Sequence, residues 1–106
     1  MSLPTAMCKL YEEDQGFLGV SWSPGIPGYV MHVELYRWSV SEFKRYLEIF
    51  HTICDVLKSK GVTKLYGLCK TSKHAKFNAA FGFVESQTRV YDLEDGFEYI
   101  VMEYEL

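Results

Sequence analysis

A chain of 106 residues, 48% hydrophobic and 24% charged, has the size and apolar content of one globular domain, which excludes a disordered or multidomain protein. Its formal charge of −3 excludes a strong polyanion binder, because nucleic-acid affinity rests on neutralising phosphates with Lys and Arg. Cys8, Cys54 and Cys69 are odd in number and lack C-x-x-C spacing, so they suggest neither a disulfide framework nor zinc, and a reducing cytoplasm is the expected home.

Residues 16–23, GFLGVSWS, read as a short strand closed by the breaker-rich Pro24-Gly25-Ile26-Pro27-Gly28. Residues 29–38 alternate: Tyr29, Met31, Val33 and Leu35 share one face, and Val30, His32, Glu34 and Tyr36 share the other. This predicts a strand with one polar face. Ser39-Val40-Ser41-Glu42 matches the S-x-x-E capping box, in which hydroxyl and carboxylate reach reciprocally to the free amides of a helix start. Phe43, Tyr46, Leu47, Phe50, Ile53, Cys54 and Leu57 then recur at three- and four-residue steps, and Gly61 is placed to end the helix.

Residues 62–69, VTKLYGLC, predict a further core strand, and Thr71 or Ser72 can cap a shorter helix through Phe81 that ends on Gly82. The strands on either side of the long helix become parallel neighbours through a right-handed crossover. Residues 84–91 and 98–103 flank Leu93-Glu94-Asp95-Gly96 and predict a closing antiparallel hairpin. The fold class is therefore α/β (α+β), a mixed sheet with one long and one short helix, as a single domain over residues 1–106. Residues 1–15 form a short leading segment in which Met1-Ser2-Leu3 reads as an expression scar. No apolar run reaches the roughly 18 residues that span a bilayer, so no membrane association is expected.

This order resembles the C-terminal two thirds of a GNAT domain, the fold of acyl-CoA-dependent N-acyltransferases, over about residues 16–105. Two stretches carry the resemblance. Val33-Glu34-Leu35-Tyr36-Arg37 is similar to the family's fourth strand and its entry to the cofactor loop, and residues 73–83, KHAKFNAAFGF, are similar to the short helix ending in its L-G-F signature. The resemblance implies a trimmed, phage-type acetyl-CoA-dependent N-acetyltransferase, with a small-molecule or protein amine as acceptor. Amides around Val33 and Leu35 would polarise the thioester carbonyl, and Arg37, Ser39, Val40, Ser41 and Lys73 would hold the cofactor's phosphates at helix starts, where free N–H groups and the dipole favour an anion. Asn78 falls where the family often carries a general-acid tyrosine. In the family's Q/R-x-x-G-x-G/A loop, aligned from Arg37, Val40 and Glu42 occupy the small-residue positions.

Glu34 and His32, about 7 Å apart on one strand face at roughly 3.4 Å per residue, are the candidate bases for deprotonating an amine. Equally, they could be plain polar residues of a solvated sheet face, with Ser39 a plain cap and Lys73 a solvated cation. Cys69 reads as a buried inert thiol rather than a nucleophile, and neither His51 nor His74 has a partner at metal-ligand spacing. Trp22, Trp38 and Tyr36 are expected in the core or an interface rather than as an open aromatic platform. The alternative function is a non-catalytic GNAT-like binding or structural module, whose polar sheet face a second copy of the chain would cover as a homodimer.

Overall fold

The computed structural model describes residues 8–22, 26–93 and 95–106. Strand β1 (Cys8–Glu13) turns at Asp14 and Gln15 into β2 (Gly16–Trp22), and β3 (Tyr29–Leu35) returns antiparallel to β2 along its whole length. β1 stands where the sequence predicted only a short leading segment. Its residues are mostly exposed and lack apolar alternation, so it is specified by pairing with β2, with a bulge between Lys9 and Tyr11. Gly16 is required at this hairpin, because a Cβ there would stand 2.0 Å from the Glu34 carbonyl oxygen. β3 stops at Leu35 rather than Trp38: the chain bends at residues 36–37, and the Tyr36 amide donates to the Gln15 carbonyl at 2.9 Å. Of the predicted breaker stretch and its approach, residues 23–25 lie outside the described residues, as do Met1-Ser2-Leu3 and Glu94 of the last turn.

Helix α1 (Val40–Ser59) starts at Ser39, whose hydroxyl accepts from the Glu42 amide at 3.1 Å. The reciprocal half of the predicted box gives way, since the Glu42 carboxylate is taken by Arg45 at 2.7 Å. At the other end Gly61 adopts φ 91°, and its amide and that of Val62 return to Lys58 and Leu57 at 3.0 and 3.1 Å. This closes the orphan carbonyls of α1. Val62 is spent on that closure, so strand β4 runs over Lys64–Cys69 and not from residue 62. Helix α2 (Ser72–Ala80) repeats the grammar, with Thr71 capping the His74 amide at 3.1 Å and Gly82 at φ 103°. β5 (Val84–Tyr91) and β6 (Glu98–Glu105) form the predicted closing hairpin, turned through Gly96 at φ 73°.

The strands lie in the order β1-β2-β3-β4-β6-β5, antiparallel throughout except for the central β3/β4 pair. Both helices feed one face: Tyr46, Phe50 and Cys54 of α1 and Ala75 of α2 pack with Leu18, Met31, Leu65, Cys69 and Met102 of the strands. The opposite face carries a smaller apolar group of Ile26, Val30 and Val101 with Tyr66, Leu68 and Val90 beside it. Trp22, Tyr36 and Trp38 are exposed, at 52%, 60% and 61%, so of the core or interface positions expected for them the core is ruled out. No helix among the described residues is long and apolar enough to cross a membrane.

Candidate functional site

The central parallel pair is joined at only two positions, Tyr29 with Leu65 and Val30 with Tyr66. Beyond them β3 runs on to Leu35 and β4 to Cys69 without pairing to each other, although β3 stays paired to β2 and β4 to β6. The two strands therefore splay. Unpaired strand N–H and C=O groups are costly when dry, so a gap of this kind holds water or a ligand with amides of its own. It opens at the carboxyl ends of the parallel strands, where α/β sheets bind ligands.

The opening is a cavity of about 210 Å³. β3 lines it with Met31, His32, Val33 and Glu34, β2 with Phe17, β4 with Leu68, and α2 with His74 and Asn78. Asn78 lies close over Gly67 of β4, where a Cβ would meet its Nδ2 at 2.7 Å, and that nitrogen donates to Cys69 Sγ at 3.0 Å. Asn78 thus fastens α2 to β4 beside the cleft. Cys69 is buried, and burial raises its thiol pKa, which suits an inert packing role.

His32 and Glu34 project on the side of the sheet away from the helices. His32 is half-buried and Glu34 exposed. The Nε2 of His32 sits 2.6 Å from Ser21 Oγ, and burial, aided by the nearby His74, lowers the His32 pKa and so favours the neutral ring. Tyr36, placed by the sequence on the same face, lies past the end of the strand.

The remaining predicted residues lie around the cleft rather than in it. Leu35 packs against the helix-side core, and Arg37, Val40 and Ser41 are exposed at the entry and first turn of α1. Ser39 is occupied as the cap, with Ser41 Oγ 3.3 Å from its hydroxyl, and Lys73 is exposed in the first turn of α2. Trp38 links the two helices by packing on Phe43 of α1 and Phe77 of α2.

Glu42 does not point its charge freely at the start of α1. Arg45 pairs with Glu42 and also with Glu13, which receives hydrogen bonds from Tyr46 at 3.0 Å and Tyr11 at 2.8 Å. Arg45, followed by the two tyrosines, holds the Glu13 carboxyl at about 2. The Arg45 pKa is raised in turn, by Glu13 first and then Glu42. One guanidinium thus ties β1 to the first turn of α1 and offsets part of the Glu42 charge.

Sequence reasoning missed Phe17, Met31, Leu68 and His74 as cleft residues. The alternation of residues 62–69 could have placed Leu68 on a strand face, but nothing local brings His74 near His32. No group of three or more His, Cys, Asp or Glu among the described residues is arranged to hold a metal ion.

A six-stranded mixed sheet with a splayed central parallel pair and two helices is a GNAT-like fold. A crystal structure of a protein from Agrobacterium tumefaciens described as a "putative acetyltransferase" matches 96% of this chain and 77% of its own, with a TM-score of 0.52 and 13% identity. At that identity the likeness is one of fold. A scan against protein-family models and a search of curated proteins find no match.

Proposed function

We propose that the chain is an acetyl-CoA-dependent N-acyltransferase that moves an acetyl group to a primary amine in the β3/β4 cleft. The observation that carries this reading is the splay itself. Two strand edges left unpaired after Val30 and Tyr66 can accept an extended, amide-bearing arm such as pantetheine by strand-like hydrogen bonding. Successive residues of a strand point their backbone groups to opposite sides, so alternate positions of residues 31–35 address β4 and the cleft. Val33 lines the cavity, and Leu35 follows it two residues on.

The fit at the start of α1 is partial. The amides of Val40 and Ser41 are available there, with Arg37 and Lys73 as exposed cations, while Ser39 Oγ occupies the Glu42 amide. Val40 is 66% exposed, and its branched side chain limits close approach of a phosphate to the backbone. The acyl thioester would supply an activated carbonyl carbon. The chain's own part is to orient the amine, shield the cleft behind Phe17, Met31 and Leu68, and take the proton that the amine nitrogen loses as its bond to carbon forms and the carbon–sulfur bond breaks. His32, Glu34 and His74 are the groups on the cavity wall that can take it, the first two from β3 and the third from α2. The Asn78 carboxamide is far too weak an acid to protonate a leaving thiolate, so that proton comes from solvent.

A second reading, a binding module descended from this fold, draws on Val40 and Glu42 at the start of α1. The test is thiol release from acetyl-CoA with a panel of small amines and a lysine-rich protein. Turnover that falls at least tenfold in a His32→Gln, Glu34→Gln double variant supports acyl transfer. No release with any acceptor, from protein that does not bind CoA at millimolar concentration, sinks it in favour of the binding module.

A further inference from the structure

Three proton-accepting side chains stand on the cavity wall, His32 and Glu34 of β3 and the exposed His74 of α2, and they are held differently. Glu34 is exposed on β3, whereas His32 is half-buried with its Nε2 hydrogen-bonded to Ser21 at 2.6 Å. Ser21 is 8% exposed, and among the described residues it is the polar side chain that reaches the buried class. A buried hydroxyl needs a partner, and this one is spent on an imidazole.

Strand register explains how they meet. Ser21 lies opposite Val30 and Gly19 opposite His32, so Ser21 and His32 are diagonal neighbours on one face of the β2/β3 pair. Gly19 has no side chain to hold the ring upright over its own position, which leaves the imidazole free to lean towards Ser21. His32 lines the cleft while Ser21 does not, so the hydroxyl acts only through the ring.

We propose that His32 is the proton acceptor of the cleft and that Ser21 is its positioning residue, accepting a hydrogen bond from Nε2–H so that the Nδ1 lone pair is free. Nδ1 then takes the proton from the acceptor amine as the nitrogen–carbon bond forms, and the resulting imidazolium returns it to solvent. The opposite arrangement, with Ser21 donating to Nε2, would place the proton on Nδ1 and leave the ring no basic nitrogen for the cleft. The proton-acceptor role rests on the acyltransfer reading; the tautomer does not.

The charged and titratable groups facing His32 are few. Glu34 follows two residues on along β3 and His74 approaches from α2, while the cleft residues of β2 and β4, Phe17 and Leu68, carry no charge. Burial first, and His74 second, lower the His32 pKa, which favours the neutral ring.

Long-range proton–nitrogen correlation spectra of the nitrogen-15-labelled protein read the tautomer directly, with His51→Gln and His74→Gln used for assignment. The expected result is a neutral His32 in the Nε2–H form in the wild type, a mixed or exchanging ring in Ser21→Ala, and restoration in Ser21→Thr. A wild-type ring in the Nδ1–H form overturns the proposal even if the variants fail to fold, as does a folded Ser21→Ala protein with an unchanged ring. In the enzyme assay, Ser21→Ala should lower kcat at least tenfold, leave KM for acetyl-CoA within twofold and move the acid limb of the pH profile. Turnover present but insensitive to Ser21→Ala removes the positioning role. Turnover absent with the Nε2–H tautomer intact removes acyl transfer, and with it the proton-acceptor role, but leaves the Ser21–His32 pairing standing.

Discussion

The two faces of the sheet divide the work of this molecule. On the helix side, Tyr46, Phe50, Phe81, Leu18 and Leu65 are fully buried, and Phe50 alone packs its ring against Phe81, Phe83 and Tyr104. The other side buries a much smaller apolar group and carries His32 and Glu34 of the cleft wall. Stability concentrated on one face frees the other to carry polar chemistry, because substitutions there remove little packing.

The sharpest way to break this comparison is to attack the helix side. Phe50→Ala should cost about 3–5 kcal/mol in urea unfolding, out of the roughly 5–15 kcal/mol a domain has to lose. His32→Gln on the open side should stay within about 1 kcal/mol of the wild type. Equal losses at the two positions would show that the faces are not segregated.

Gly16→Ala probes the hairpin that anchors the cleft wall. A methyl forced against the Glu34 carbonyl must part β2 from β3, for an expected loss of about 1–3 kcal/mol in the same assay. Removing the caps tests the two helix starts next: Ser39→Ala and Thr71→Ala should each cost about 1 kcal/mol, with loss of amide-exchange protection at Glu42 and His74 respectively.

The subtlest effect is a pH dependence. Glu13 is depressed from the ordinary value of 4.5 to about 2, chiefly by Arg45, so its contribution is complete above about pH 4.5 and is lost as the pH falls towards 2. Glu13→Gln should therefore flatten the acid limb of the stability profile in that window while leaving its neutral and alkaline limbs parallel to the wild type. An acid limb unchanged by the substitution would show that Arg45 and Glu13 are not coupled in solution.

How much of this was legible in the sequence follows the range of the forces involved. Ser39, Gly61, Thr71 and Gly82 act within a single turn of chain, and both helices start and stop where these residues predicted. The alternation of β3 placed His32 and Glu34 on one face correctly, and Asp95-Gly96 marked the last reversal. β1 escaped because Cys-Lys-Leu-Tyr-Glu-Glu carries no strand pattern of its own and is held by its partners, the following strand β2 and the sequence-distant Arg45. The exposure of Trp22 and Trp38 was equally hidden, since size favours burial and only the finished packing shows that no element among the described residues covers them.

The site divides in the same way. Val33 and Asn78 were named from a resemblance and do line the cavity, whereas His74, Leu68 and Phe17 reach it through tertiary structure that no local spacing records. The cleft itself is an absence of pairing between two ordinary strands, and no residue type announces where a ladder will stop.

The central claim is that the β3/β4 cleft receives the acyl arm of acetyl-CoA, and calorimetric titration of acetyl-CoA into the wild type and a Leu68→Trp variant tests it most directly. Leu68 is half-buried on the cavity wall, so an indole there fills the space while leaving the helix-side core intact. Micromolar binding by the wild type, weakened at least tenfold in the folded variant, is the result this account predicts. Equal binding by both proteins, or none by the wild type, would contradict it.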